Sequence, residues 1–215
     1  MKCLPELAPK LRLRRELGRK RFGLDFVSIN ASNDDRPIFR AGRGGTPRLN
    51  IRPARVGDVP AICDLIRVFA DRKLMIRRSL GELYESIREF VVATDDHGNV
   101  IGCAALHVFW DDLAELKCLA VAERVQGGGV GRKLVDACWE QAHSLELRTV
   151  FTLTYVADFF EKCGYRQIDK ADLPHKIWNE CVRCPLFPNC HEIALIRSVD
   201  PTWELARPAL AAIEA

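Results

Sequence analysis

The segment 126–131 holds four glycines. An apolar, strand-like stretch at 114–121 precedes it, and the stretch after it carries apolar residues at every fourth position from Val130 to Ala142. Glycines leave backbone N–H groups uncovered, and the N-terminus of a helix carries partial positive charge that attracts phosphate. The order of strand, glycine turn and helix therefore predicts a pyrophosphate-binding site.

Two other phosphate-binding motifs do not fit this segment. A P-loop ends in Gly-Lys followed by Ser or Thr, whereas Gly131 is followed by Arg132 and Lys133. A dinucleotide-binding loop follows the first strand of its unit, whereas this glycine segment comes after several strand-like stretches.

Length and composition favour a globular protein. The chain has 215 residues, of which 48% are hydrophobic, and this is enough for a sizeable core. Its apolar runs are shorter than the roughly 18 residues that span a bilayer, and the region 11–21 is basic where a secretory signal would be apolar. We expect a cytoplasmic protein without membrane contact, whose nine cysteines are thiols or metal ligands rather than disulfides.

The charge is uneven along the chain and suggests three parts. Residues 1–48 carry twelve Lys and Arg against five Asp and Glu, while the remainder is mildly acidic. We expect a basic, disordered leader at 1–48, a folded domain at 49–198 and a tail at 199–215. A tail for nucleic acid or an acidic partner is the alternative for 1–48, but basic stretches without interleaved aromatics discriminate poorly, and we do not expect nucleic acid as a partner.

Periodicity predicts the elements of the domain. Asp58 is the expected cap of the first helix, and Ser79 with Glu82 forms a capping-box pattern for the second. The predicted strands are 49–56, 90–94, 100–109, 114–121, 149–154, 165–168 and 192–197. Four helices are predicted: one that begins at 59, one over 79–90, one from the glycine segment to about 144, and one over 157–163.

This order of elements resembles the GNAT N-acetyltransferases. Gln126 to Gly131 also fits the Gln/Arg-x-x-Gly-x-Gly/Ala pattern of that family. The resemblance implies an α/β protein with the GNAT (acyl-CoA N-acyltransferase) fold, a mixed and mostly antiparallel sheet flanked by helices. It implies acetyl-CoA as the cosubstrate.

Further blocks are similar to the short bacterial N-acetylglutamate synthases. The resemblance implies transfer of an acetyl group to L-glutamate, a step of arginine biosynthesis, by direct attack of the amine. A different small amine or peptide amine is the alternative acceptor, and a metal-sensing or nucleic-acid-binding module is the alternative class. The blocks are Met75–Ser79, Cys118–Val121, Phe159–Tyr165 and Leu173–Cys181, the last continuing to Cys190.

The resemblance also implies residues that hold acetyl-CoA. The strand before the glycine segment supplies main-chain groups to the thioester and the pantetheine arm, with the N–H of Leu119 as the oxyanion donor. The glycine segment contacts the phosphates. The cofactor-binding residues implied are Cys118, Leu119, Val121, Gln126, Gly127, Gly129, Gly131 and Arg132.

Charged residues near this strand are candidates for the acceptor site. With a period of two, Glu115 shares a face with Lys117, Leu119 and Val121, and its carboxylate could remove a proton from the incoming ammonium or stand exposed at an edge. Lys117 could pair with Glu115 or meet the carboxylate of the substrate. Of the adjacent Arg77 and Arg78, one is expected to bind a carboxylate of glutamate and the other to face solvent.

The general acid differs from the family pattern. Many GNAT enzymes carry a tyrosine where this chain has Phe160, which has no proton to give. Tyr155, at the end of the preceding strand, is the substitute candidate, and protonation of the thiolate through water is the alternative.

A cysteine motif near the C-terminus adds a candidate zinc site. Cys181, Cys184 and Cys190 have spacing that suits a metal, and His175 or His191 could complete the set. Reduced thiols that pack a loop, or a redox-labile pair, are the alternatives. The sequence leaves a homodimer open.

Overall fold

The computed structural model describes residues 49–173 and 190–199. They form a seven-stranded sheet with the order β1-β2-β3-β4-β5-β7-β6. Neighbouring strands are antiparallel except β4 and β5, which are parallel. The strands are β1 (Asn50–Pro53), β2 (Phe90–Thr94), β3 (Val100–Val108), β4 (Leu113–Val121), β5 (Thr149–Thr154), β6 (Arg166–Ile168) and β7 (Ile193–Ser198).

Helices cover both faces of this sheet. They are α1 (Val59–Asp71), α2 (Leu80–Glu85), α3 (Val130–Ser144) and α4 (Ala157–Lys162). On one face, α1 and α2 pack Ile62 and Leu83 against Phe90 and Val92. On the other, α3 and α4 pack around Leu116 and Val150 in a larger cluster that includes Leu134, Cys138 and Phe160. The expected mixed, mostly antiparallel sheet between helices is confirmed.

The predicted capping box is present at the start of α2. The Ser79 hydroxyl accepts from Glu82 N at 3.2 Å, and the Glu82 carboxylate accepts from Ser79 N at 2.8 Å. The predicted length of this helix is wrong, since α2 ends at Glu85 and a 3₁₀ turn follows over Ile87–Glu89. The Ser86 hydroxyl donates to Glu82 O at 2.7 Å, and such side-chain bonds to a backbone carbonyl compete with the helical ladder.

Asp58 occupies the N-cap position of α1, as predicted, but its side chain makes no capping hydrogen bond to the helix. The Asp58 carboxylate accepts from the guanidinium of Arg52 at 2.6 and 2.9 Å and from Arg55 N at 2.7 Å. These bonds lower the pKa of Asp58, with the Arg52 hydrogen bond as the largest cause. The Asp58 side chain therefore ties β1 to the turn before α1 and does not bond to the N–H groups of the helix.

Candidate active site

A β-bulge interrupts β4 next to the glycine segment. Lys117 lies opposite Ala105 and Ala120 lies opposite Cys103. Cys118 and Leu119 therefore face a single residue of β3, and Cys118 takes a positive φ of 54°. An extra residue in one strand kinks it and increases its twist.

Because of the bulge, the side chains of β4 do not alternate between the two faces of the sheet as the sequence predicted. One inserted residue moves every later side chain to the opposite face of the sheet. Glu115 and Lys117 share their face with Ala120, whereas Leu119 and Val121 pack on the α3 side. The prediction that Glu115 and Lys117 share a face with Leu119 and Val121 is therefore wrong.

Beyond this point β4 and β5 diverge. Their parallel pairing ends where Glu115 meets Phe151, while β5 continues beside β7 as far as Thr154. Ala122 N donates to Ile101 O at 2.9 Å, and successive residues of a strand direct their N–H groups to alternate edges. The N–H groups of Leu119 and Val121 therefore face the opening between β4 and β5.

The glycine segment forms the turn between β4 and α3. Gly127 and Gly129 have positive φ values of 77° and 80°, a conformation that costs glycine little. A Cβ atom at either residue would meet nothing within 4 Å. Lys133 N donates to Gly129 O at 3.2 Å, and in a helix the N–H groups of the residues before this first bond have no intrahelical acceptor. The turn and helix start present these donors together.

Three predicted phosphate contacts have other neighbours in the structure. The Gln126 side-chain amide donates to Val121 O at 2.9 Å. A Cβ on Gly131 would lie 3.2 Å from the Phe159 ring. The exposed Arg132 guanidinium donates to Lys162 O at 2.8 Å. Their roles toward a cofactor stay predictions.

A cavity of about 490 Å³ lies on the α1 and α2 side of the sheet. It brings together three of the predicted acceptor-site residues and the thiol at the bulge. Its lining residues are Ile76, Arg77, Arg78, Glu82, Leu83, Glu85, Ser86, Glu89, Phe90, His107, Lys117 and Cys118.

The two adjacent arginines at this cavity differ. Arg77 is exposed and forms an ion pair with Asp71. Arg78 is half-buried, and its guanidinium contacts the Cys118 thiol. The half-buried Arg78 is therefore better placed to meet an anionic group inside the cavity, and Arg77 lies nearer its rim.

The surroundings of Cys118 disfavour its thiolate form. Burial raises its pKa, and the charges of Arg78 and Lys117 offset that effect only in part. The thiolate is the nucleophilic form of cysteine. A raised pKa disfavours a covalent acyl-cysteine and favours direct attack by the acceptor amine.

The sequence interpretation missed the pair of Glu89 and His107. Nδ1 of His107 lies 2.8 Å from Oε1 of Glu89, and both residues line the cavity. His107 also lies directly opposite Glu115 across β3 and β4. The residues are 18 positions apart in sequence, so only the period-two pattern of β3, which puts His107 on the face of Cys103 and Ala105, could have indicated it.

The remaining predicted residues lie away from the cavity or outside the described residues. Tyr155 follows the end of β5, at the opening, with 37% of its surface exposed. Phe160 is 2% exposed and packs against the rings of Phe159 and Tyr165. In the candidate zinc motif, Cys181, Cys184 and His175 lie outside the described residues, and the Cys190 thiol lies 3.4 Å from the Glu192 carboxylate.

Within residues 49–173 and 190–199, no cluster of three or more metal-ligating side chains is present. In the same ranges, none of the helices has the length and apolar character needed to cross a membrane.

Comparison with known proteins identifies the class. Residues 86–167 match the family described as "Acetyltransferase (GNAT) domain". An uncharacterized N-acetyltransferase of Chlorobaculum tepidum is 38% identical over 149 residues, which cover 69% of this chain and 96% of that protein. The chain belongs to the GNAT acetyltransferases and is an acetyl-CoA-dependent N-acetyltransferase.

Two further matches are to enzymes named for the acetylation of amino acids. An amino-acid acetyltransferase of Mycobacterium tuberculosis is 38% identical over 135 residues, which cover 62% of this chain and 77% of the relative. N-acetylglutamate synthase of Neisseria gonorrhoeae, solved with coenzyme A and N-acetyl-glutamate, aligns at 28% identity and a TM-score of 0.65. That alignment covers 73% of this chain and 36% of the longer Neisseria chain.

Proposed function

We propose that this enzyme acetylates the amino group of L-glutamate. The observation that carries the proposal is the cavity beside the bulge, where Arg78 and Lys117 bring two cationic side chains to the strand that is expected to hold the thioester. Arginine recognises carboxylates through two parallel hydrogen bonds, and glutamate offers two carboxylates. The name of the Neisseria relative, an N-acetylglutamate synthase, supports glutamate, and that of the Mycobacterium relative supports an amino acid as the acceptor.

The cosubstrate is proposed to enter the opening between β4 and β5. The N–H and C=O groups of Leu119 and Val121 on this edge can pair with the amides of the pantetheine arm, as an added strand would. The glycine segment and the start of α3 then meet the diphosphate. The Gln126 amide, now on Val121 O, would yield that acceptor to the cofactor.

The bulge joins the two halves of the proposed site. Cys118 lines the cavity, and the adjacent Leu119 directs its N–H to the opening. An acceptor amine in the cavity would therefore approach a thioester whose carbonyl oxygen lies near the Leu119 N–H. A donor fixed in advance at the position of the developing oxyanion stabilises the transition state.

Proton transfers complete the proposed reaction. Glu115 and Tyr155 remain candidates for the base and the acid that protonates the departing thiolate. The attack is direct, without an acyl-enzyme, which accords with the raised pKa of the Cys118 thiol. A role in amino-acid biosynthesis would place the enzyme in the cytoplasm.

A thiol-release assay with acetyl-CoA tests the substrate. Glutamate is compared with aspartate, glutamine, leucine and spermidine, and mass spectrometry identifies the product. We expect glutamate to give the highest kcat/KM. Three glutamates also line the cavity, so a clear preference for spermidine would contradict the assignment and favour a cationic acceptor.

A variant pair ties this preference to the cavity. Removing a charged hydrogen-bond partner costs about 1.5–3 kcal/mol, so Arg78→Ala should raise KM for glutamate roughly 10- to 100-fold. The matched control is Arg67→Ala, since Arg67 is exposed on α1 and pairs with Asp64. Equal KM values for the two variants would remove Arg78 from substrate recognition.

A further inference from the structure

The Glu89 and His107 pair has a fixed hydrogen-bond polarity. An ionised carboxylate only accepts hydrogen bonds, so the 2.8 Å contact between Oε1 of Glu89 and Nδ1 of His107 requires a proton on Nδ1. In the neutral imidazole, Nε2 then keeps its lone pair. A carboxylate that fixes the tautomer of a histidine in this way is the arrangement that orients a base.

The imidazole ring is also held by its neighbours. Its centroid lies 4.9 Å from that of Phe109 in an edge-to-face arrangement at 88°. His107 is half-buried and lines the cavity. The charged groups around it are Glu115 opposite on β4, Lys117 two residues further along β4, Glu89 before β2, and Arg77, Arg78, Glu82 and Glu85 at α2.

The pair is poorly explained as a stabilising contact. Oε2 of Glu89 is buried and, among the described residues, has no hydrogen-bond partner. A buried polar atom without a partner costs about 1–3 kcal/mol, more if it is charged. Such groups are expected where function, rather than stability, has set the arrangement.

Position along the strands favours His107 over Glu115 as the group that reaches the acceptor. The two residues are cross-strand neighbours, but only His107 is among the residues that line the cavity. Cys118 at the bulge lies three residues along β4 from Glu115, the residue opposite His107. At roughly 3.4 Å per residue this separation is about 10 Å. That span leaves room for a small acceptor between the base and the thioester, with direct proton transfer or one intervening water.

We propose that His107 is the catalytic base of the acetyl transfer and that Glu89 is its positioning residue. Nε2 takes one proton from the acceptor ammonium, and the freed lone pair forms the C–N bond to the thioester carbonyl. The tetrahedral intermediate expels the coenzyme A sulfur as the C–S bond breaks. The acid, Tyr155 or water, protonates that thiolate and regains a proton from the second amine hydrogen as the amide forms, and the imidazolium later releases its proton to solvent. This assignment rests on the proposed acetyl transfer to a small amine.

The test compares pH profiles of kcat/KM for the wild type and four glutamine variants, at His107, Glu89, Glu115 and His143. A base must be unprotonated, so wild-type activity should fall as the pH is lowered. His107→Gln should lower kcat by about 100-fold and abolish this acidic limb, with KM for acetyl-CoA within about twofold. Glu89→Gln keeps an acceptor for Nδ1 but loses the charge, and should lower kcat about tenfold while the acidic limb shifts in pH. His143→Gln, an exposed histidine on α3, is the control and should match the wild type.

A rescue experiment separates the chemical role from a structural one. In His107→Ala, added imidazole should restore part of the rate, whereas a folding defect would not respond. An unchanged acidic limb in His107→Gln, or its loss in Glu115→Gln instead, would overturn the proposal.

The base assignment and the substrate assignment can fail separately. If the wild type prefers another amine to glutamate, the substrate assignment fails. The same variants assayed with that amine still test His107.

Discussion

The two halves of β4 differ in what their backbone does. Ala114 and Glu115 pair with β3 on one edge and β5 on the other. After the bulge, Ala120 and Val121 still pair with β3, while β5 has moved away. The closed half builds the core, and the open half leaves main-chain groups for a ligand. A free strand edge is normally a liability, so its presence inside the sheet points to function.

The largest expected difference between the two halves is in the free energy of unfolding when a leucine is replaced by alanine. Leu116 is fully buried before the bulge, whereas Leu119, in the bulge at the start of the open half, is partly buried. Leu116→Ala should lower the free energy of unfolding by about 2–5 kcal/mol, and Leu119→Ala by clearly less. Urea denaturation measures both changes. Equal losses would show that the open half is as much a part of the core as the closed half.

A substitution in the glycine turn beside the open half should change the affinity for acetyl-CoA. Gly129 and Gly98 share a φ of 80°, and a Cβ at either residue would meet nothing within 4 Å. Alanine at either site should therefore cost a similar stability, about 1–2 kcal/mol. Only Gly129→Ala should weaken acetyl-CoA binding, by tenfold or more, because its Cβ would stand where the diphosphate approaches the backbone. Calorimetric titration of both variants makes the comparison, and unchanged affinity in Gly129→Ala would remove that residue from the phosphate site.

Substitution of Tyr155, at the end of β5, tests which group protonates the departing thiolate. Tyr155→Phe should lower turnover at least tenfold with little change in acetyl-CoA affinity, since only the hydroxyl is lost. Tyr84→Phe, at an exposed tyrosine on α2, is the matched control. Steady-state rates equal to the wild type would exclude Tyr155 from the mechanism and leave protonation through water.

The smallest expected effect is a shift in thiol reactivity at the bulge. Because burial raises the pKa of Cys118, its alkylation by iodoacetamide should rise with pH to a midpoint above the ordinary thiol value of about 8.5. Peptide mapping by mass spectrometry follows this residue alone, and acetyl-CoA should slow the reaction. A midpoint below 8.5 would mean that Arg78 and Lys117 outweigh burial, and that an acyl-cysteine must be reconsidered.

The regular strands and helices of the fold were predictable because local sequence patterns determine them. The hairpin of β2 and β3, the strand at Thr149–Thr154 and the start of α3 after the glycines follow from alternation, apolar spacing and turn residues. The Ser79 and Glu82 capping box is likewise encoded within four residues. Each of these features depends on neighbours in sequence.

The open half was not predictable from the same patterns. Its bulge places a cysteine at positive φ, which no propensity favours, and so the period-two assignment of faces failed beyond Lys117. The Glu89 and His107 pair joins two elements 18 residues apart and exists only once β2 and β3 are in register. The site is therefore set by strand pairing over a distance, while its parts look ordinary in sequence.

Residue-specific amide hydrogen exchange, measured by NMR with and without acetyl-CoA, tests whether the open edge of β4 binds the cosubstrate. We expect the Leu119 and Val121 amides, which face the opening, to become protected when the cosubstrate binds. The Ala120 amide, directed at β3, should change little and serves as an internal control. If saturating acetyl-CoA gave no protection at Leu119 and Val121, or protected only Ala120, the open edge of β4 would not be the binding site of the cosubstrate.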